Sequence, residues 1–275
     1  MGQDPVGENT VGCSLGSEKS KVIMKSNIEW EKWGERDPLF AVATWRGKER
    51  GNPEAWTDDE FYELGRLDWA DFQGQWQHYG LRAGSCVEIG CGAGRITKQL
   101  AQSFQHVTGV DVSQHQLDYA RQRVSAANVA FTLSGGTQSP LADAQCDAAF
   151  SVHVFQHFES HKDAFAVFRD LHRILKPNGT LMIHLPLYDL PDIKLSWIFR
   201  PVIALAERLG DAKASLDRRH LYKGRWKSVM RRLRFDRKQL LRELESMGFS
   251  NIEFRMFQVS SNDSYHEFVL ATKRP

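Results

Sequence analysis

Val87-Glu88-Ile89-Gly90-Cys91-Gly92-Ala93-Gly94-Arg95 reads as a short apolar strand carrying one acid, then a turn with glycine at alternate positions. A helical pattern follows at Ile96, Leu100, Ala101 and Phe104. Alternate glycines let the backbone turn sharply and let a ligand lie against it without a Cβ in the way. Nucleotide-like cofactors bind at such turns, outside the carboxyl end of a parallel strand. A dinucleotide fingerprint needs Gly or Ala at the position held by Arg95. A P-loop needs a Lys-Ser/Thr pair and a different glycine spacing, and neither occurs. The acid two residues before Gly90 suits a cofactor with a cationic amino-acid part. A second acid, Asp111, closes the apolar strand His106–Val110; a carboxylate there accepts ribose hydroxyls, as it also does in dinucleotide sites.

Outward from this turn, strands are predicted near 85–90, 106–111, 128–133, 147–152 and 180–185, with helices near 94–104, 114–126 and 161–175. That alternation predicts a parallel sheet with helices on both faces. After Pro186 the rhythm breaks. It resumes with a helix capped by Asp236 and ended by Gly248, then two strand-like runs, 250–259 and 265–272. The short polar link between those runs makes a hairpin, so the last strand runs antiparallel.

With Gly109-Val110-Asp111-Val112-Ser113, the run Cys146–His157 and the run His172–Leu181, the chain resembles a class I S-adenosylmethionine-dependent methyltransferase of the type 11 small-molecule kind. In the last run Asn178 stands where that family often has Gly. The resemblance covers roughly residues 80–186, and the C-terminal elements extend it. It implies an α/β, doubly wound, mostly parallel seven-stranded sheet with an antiparallel last strand, and S-adenosylmethionine as cofactor with S-adenosylhomocysteine as product. By the same resemblance Gly90, Cys91, Gly92 and Gly94 form the loop facing the methionine part, and Glu88 organises it near the ammonium. Asp111 takes the ribose hydroxyls and Val112 packs on adenine. The carboxylate that many relatives place after the third strand is missing, so the role falls to backbone at Gly135, Gly136 or Thr137. Ser151 and Gln156 are expected near the methionine end.

Oxygen methylation requires removal of a hydroxyl proton, a task most often given to histidine. His157 is the first choice: by resemblance it holds the place of a histidine near the acceptor in phosphoethanolamine methyltransferases. His153 is the alternative, and His184 reads as a strand residue. No Asp-Asp-Asn constellation of the catechol type occurs, so no metal is expected.

At 275 residues with 41% hydrophobic and 25% charged residues, the chain has the composition of a globular protein. Residues 1–25 read as a disordered tail. Residues 26–80 read as a helical cap rich in tryptophan, with Thr57 and Glu60 forming a capping box. Within it, Trp30 to Pro38 resembles caps that close over the methyl donor, which makes Trp33 a candidate contact. Residues 81–275 form the cofactor domain, with an insertion, 187–235, expected to help bind a small-molecule acceptor. The basic half of that insertion reads as a solvated lid face, a docking surface for an anionic or carrier-bound substrate, or, less favoured, a membrane-surface contact. A net charge of +2 and no nucleic-acid module argue against nucleic acid. Four cysteines without paired spacing, no leader-like segment and no long apolar run point to the cytoplasm. Transfer to nitrogen or carbon, and S-adenosylmethionine binding without catalysis, are the competing functions.

Overall fold

A computed structural model describes residues 25–189 and 233–275. Three helices come first: α1 (Lys25–Arg36), α2 (Pro38–Val42) and α3 (Asp58–Tyr79). The predicted capping box opens α3: Thr57 Oγ1 accepts from the Glu60 amide at 3.2 Å, and Glu60 accepts from the Thr57 amide at 3.3 Å. Gly80 ends the helix in the left-handed conformation, φ 120°.

The central elements follow as β1 (Ser85–Ile89), α4 (Thr97–Ser103), β2 (His106–Asp111), α5 (Gln114–Arg123) and β3 (Val129–Leu133). Next come β4 (Cys146–Ser151), a 3₁₀ turn (Phe155–His157), α6 (His161–Ile174) and β5 (Leu175–His184). The short strands β6 (Leu187–Tyr188) and β7 (Phe235–Asp236) precede α7 (Arg237–Ser246), β8 (Phe249–Val259) and β9 (Ser264–Lys273). Among the described residues the main sheet has seven strands in the order β3-β2-β1-β4-β5-β9-β8, with β9 antiparallel to both neighbours. The architecture is therefore the predicted doubly wound sheet with an antiparallel last strand. The chain builds outward from β1 through β2 to β3, then returns to place β4 on β1's other side. That reversal opens a crevice at the carboxyl ends of β1 and β4, where a ligand binds in such sheets.

Two of the boundary shifts have a local cause. The helix predicted from 94 starts at Thr97, because Gly94 keeps a left-handed φ of 79° and extends the turn. The strand predicted from 180 starts at Leu175 and carries a register break opposite Cys146–Ala148. Asn178 sits there at φ 61°, a conformation that Asn tolerates better than most residues, which accounts for its standing in a glycine's place.

The predicted cap shares a core with the sheet. Phe72 and Trp76 of α3 pack on Phe150 of β4, each at 5.8 Å between ring centroids, and Phe72 meets Phe268 of β9 at 5.1 Å. Trp76 is fully buried, and its indole donates to Thr180 Oγ1 at 3.1 Å. The division expected at 80–81 thus falls between elements of one hydrophobic cluster. The expected tail lies outside the described residues, save Lys25, the first residue of α1. Most of the insertion, 190–232, also lies outside them. Its two ends are fastened: β6 and β7 pair in parallel, Leu187 with Phe235 and Tyr188 with Asp236. Among the described residues no helix is long and apolar enough to cross a membrane.

Candidate active site

The glycine turn lies back over the end of β2. Gly90 and Cys91 amides donate to the Val110 carbonyl at 2.7 and 3.1 Å, and the Gly92 amide donates to Asp111 Oδ2 at 2.8 Å. Gly90 and Gly92 have φ of 72° and 52°; a Cβ on them would stand 2.2 Å from Val154 and 2.5 Å from Val42. These two positions need glycine both for conformation and for space. Below the turn, Glu88 is buried and accepts from Thr97 Oγ1. Burial pushes its carboxyl up to about 8, against the pull of the Thr97 hydrogen bond and the Arg95 charge.

Asp111 is also buried, and burial raises its pKa although backbone amides of Ser113, Gly92 and Val112 oppose this. Oδ1 accepts from the Ser113 amide at 2.9 Å and Oδ2 from Gly92. A carboxylate has about four acceptor sites, so these three amides leave one for a ligand hydroxyl.

These groups line one cavity of 390 Å³. At the turn its wall holds Glu88, Gly90, Cys91 and Gly92, with Asp111 and Val112 from the end of β2. Gly136 and Thr137 close the adjacent side, and His153, Gln156 and His157 contribute from the loop after β4. Four predicted residues stand outside the wall. Gly94 faces Ala120 of α5 and Val124 just after it, and Ser151 donates its hydroxyl to the Ile89 carbonyl at 2.8 Å. The Gly135 carbonyl accepts from Asn27 at 3.0 Å, which ties α1 to this loop. Trp33 packs on Phe40, with ring centroids 6.0 Å apart, while Trp30 of the same helix lines the cavity. Cys91 is buried with its thiol pushed far up by desolvation, which suits a small wall residue and not a nucleophile.

Sequence reasoning missed the far end of the cavity. Asp68 of α3 and Arg95 form a buried ion pair there, and Asn262, Ser264 and His266 reach it from the β8–β9 hairpin. The Arg95 that argued against a dinucleotide is thus a link to the helix packed over the turn. His157 meets Trp30 edge-on at 5.1 Å, and the Gln156 amide nitrogen donates to its Nε2 at 3.1 Å. An amide NH₂ only donates, so Nε2 carries no proton and its lone pair accepts from Gln156. His153, in the left-handed region at φ 59°, packs against His184 and His266. Burial and the neighbouring imidazoles hold His153 far below the usual histidine range and His184 down to about 3.

Known proteins agree with this geometry. A family profile described as a methyltransferase domain matches residues 87–183. The O-methyltransferase rstn1 of Aspergillus nomiae is 29% identical over 108 residues, 38% of this chain and 47% of that protein. A ubiquinone biosynthesis O-methyltransferase of Pseudomonas aeruginosa is 28% identical over 121 residues, 43% of this chain and 49% of that protein. Residues 87–183 thus match a methyltransferase domain. The chain spans about half the length of the curated relatives it matches. Among solved structures, magnesium protoporphyrin IX methyltransferase of Synechocystis shares this fold, with a TM-score of 0.55 at 16% identity over 90% of this chain and 99% of that one.

The cavity fits the cofactor of this family, S-adenosylmethionine. Asp111 keeps a free acceptor site, the turn at Gly90 and Gly92 leaves no Cβ in the way, and Glu88 is a buried carboxyl without a cationic partner in direct contact.

Proposed function

We propose that this methyltransferase moves a methyl group from S-adenosylmethionine to an oxygen of a small-molecule acceptor, with His157 as the base. The observation that carries the reading is the single cavity, which joins Asp111 and the glycine turn at one end to an unprotonated His157 nitrogen at the other. The cofactor supplies an electrophilic methyl on a sulfonium, which leaves as a neutral thioether when the acceptor oxygen takes the methyl. The chain's part is to hold the two reactants in line and receive the hydroxyl proton. His157 is preferred to His153, whose ring is packed between two other histidines. The acceptor is proposed to enter beneath the insertion. In support, the Leu233 amide at the insertion's end donates to the Gln156 carbonyl at 2.9 Å, beside the cavity wall. The basic residues of the insertion would then meet an anionic group on the acceptor or its carrier.

Calorimetry with S-adenosylhomocysteine and NAD tests the cofactor end: the first binds and the second does not, and the reverse would sink the assignment. Asp111→Asn is expected to weaken S-adenosylhomocysteine by about thirtyfold, the equivalent of one charge-assisted hydrogen bond of about 2 kcal/mol. Unchanged affinity would remove Asp111 from the site.

Glu88 gives a second test. With its carboxyl at about 8, it is mostly protonated at pH 7 in the free protein. A ligand ammonium favours the ionised form, so binding at pH 7 releases close to one proton and affinity rises with pH toward 8. Titrations in two buffers of different ionisation enthalpy measure that proton. Glu88→Gln abolishes the release; a release that persists in the variant places the ionising group elsewhere.

A further inference from the structure

Three histidines from three strands or their ends meet at the far end of the cavity. His184 ends β5, His266 lies in β9, and His153 follows β4. Their ring centroids are 4.5, 4.9 and 5.1 Å apart, and one ring nitrogen from each lies within 4.8 Å of the other two. We propose that His153, His184 and His266 form a binding site for one zinc ion, with an open coordination position facing the cavity.

Zinc held by imidazole has metal–nitrogen distances of about 2.0–2.1 Å, so two ligand nitrogens on one tetrahedral ion lie about 3.4 Å apart. Small ring rotations close the observed spacing to that value. Three protein ligands with a vacant fourth position is the arrangement of catalytic zinc, whereas structural zinc is closed by four. Ligands that are all imidazole suit zinc, copper, iron or nickel rather than magnesium or calcium.

The hydrogen bonds around the cluster leave a lone pair for the ion. Ser264 Oγ contacts His266 Nε2 at 2.7 Å and donates its own proton to Asn262. Nε2 therefore carries the proton, and His266 Nδ1 is left as a buried lone pair with no hydrogen-bond partner. A metal-bound histidine typically has such an outer partner on its second nitrogen, which fixes tautomer and orientation. His184 Nδ1 accepts from the His153 amide at 3.3 Å, a long hydrogen bond that an ion on this nitrogen would displace. Without an ion, the buried Nδ1 of His266 has no partner beside two other imidazoles, an arrangement that a cation relieves. The nearest charges are Asp68 and Arg95, which offset each other as a pair.

His153 and His266 both line the cavity, so the open position faces the space assigned to the acceptor. An acceptor hydroxyl bound there becomes more acidic, as water does on zinc. That role rests on the oxygen-methylation reading; the metal site does not.

The test uses tag-free full-length protein, stripped with a chelator and titrated with ZnCl₂ by calorimetry and with CoCl₂ by visible absorption. S-adenosylhomocysteine affinity and thermal melting are measured in parallel. The expected result is one ion per chain and a tetrahedral Co²⁺ spectrum. His184→Asn and His266→Asn each lose that spectrum and weaken zinc by more than the roughly 10–100-fold that loss of an outer partner costs. His106→Asn, on the surface strand end, binds as the unaltered chain does. No stoichiometric ion in the unaltered chain overturns the proposal, as does binding that survives both substitutions. If a buried variant fails to melt cooperatively, His153→Gln at the cavity wall decides in its place. Zinc without S-adenosylhomocysteine binding supports the site and sinks the cofactor reading; the converse sinks the site alone.

Discussion

His157→Ala is expected to lower kcat by about a hundredfold or more, the usual contribution of a positioned acid–base group, while leaving affinity for S-adenosylhomocysteine close to that of the unaltered chain. The ring lies in the 3₁₀ turn after β4, against the Trp30 edge and the Gln156 amide, whereas Asp111 and the glycine turn lie at the ends of β2 and β1. Its loss should therefore act on turnover and leave the cofactor end intact. A general base is worth more as the acceptor hydroxyl becomes less acidic. Across acceptors of graded acidity, the variant should lose least with the most acidic hydroxyl. A merely structural histidine would lower all of them equally. With kcat and kcat/KM falling together, the missing interaction is one made in the transition state. Near-normal turnover would place the base elsewhere or make it unnecessary.

The end of the cavity proposed for the cofactor was legible in the sequence as geometry because it is local. Glu88, the glycines and Asp111 sit at strand ends and in turns whose spacing is set by backbone geometry, and they converge wherever a parallel β1–β2 pair forms. Gly94 and Ser151 were misplaced from the cavity wall for a related reason. Neighbouring residues in a turn or strand face opposite ways, and periodicity alone does not say which side holds the ligand. Trp33 and Trp30 differ by under one helical turn, and which of them lines the cavity is decided by Phe40, a contact with the next helix. The far end was not legible. Asp68, His184 and His266 are separated by scores of residues and meet only because α3 packs over the sheet and β9 inserts between β5 and β8. The hairpin was predicted; that its near end carries site residues required the strand order. Asn262 and Ser264 read as turn residues, and as such gave no signal of a role in the cavity.

Asp68→Ala should lower the stability of the fold by about 3 kcal/mol or more, because it leaves a buried guanidinium without its counter-charge. Asp68 joins three elements that hold the cavity: one oxygen pairs with Arg95 after the glycine turn, and the other accepts from Ser261 in the hairpin. Both side chains of the ion pair are about 5% exposed, so solvent cannot take over the lost interaction. Arg95 Nε already lacks a hydrogen-bond partner, so the guanidinium would lose its direct counter-charge without a second one in contact. At the scale of about 2–4 °C per kcal/mol for chains of 150–250 residues, the midpoint of thermal unfolding should fall by roughly 6–12 °C. A double variant, Asp68→Leu with Arg95→Met, removes both charges and should recover much of that loss, because burying an ion pair yields little net stability over apolar packing. The coupling between the two sites, read from the cycle of single and double variants, then isolates the cost of the orphaned charge. An Asp68→Ala protein that melts with the unaltered chain would mean that Arg95 reaches solvent or another anion once freed. The turn would then be held without help from α3. If the loss is as large as expected, the residue that separates this turn from a dinucleotide fingerprint is also the one that fastens the turn to the helix above it.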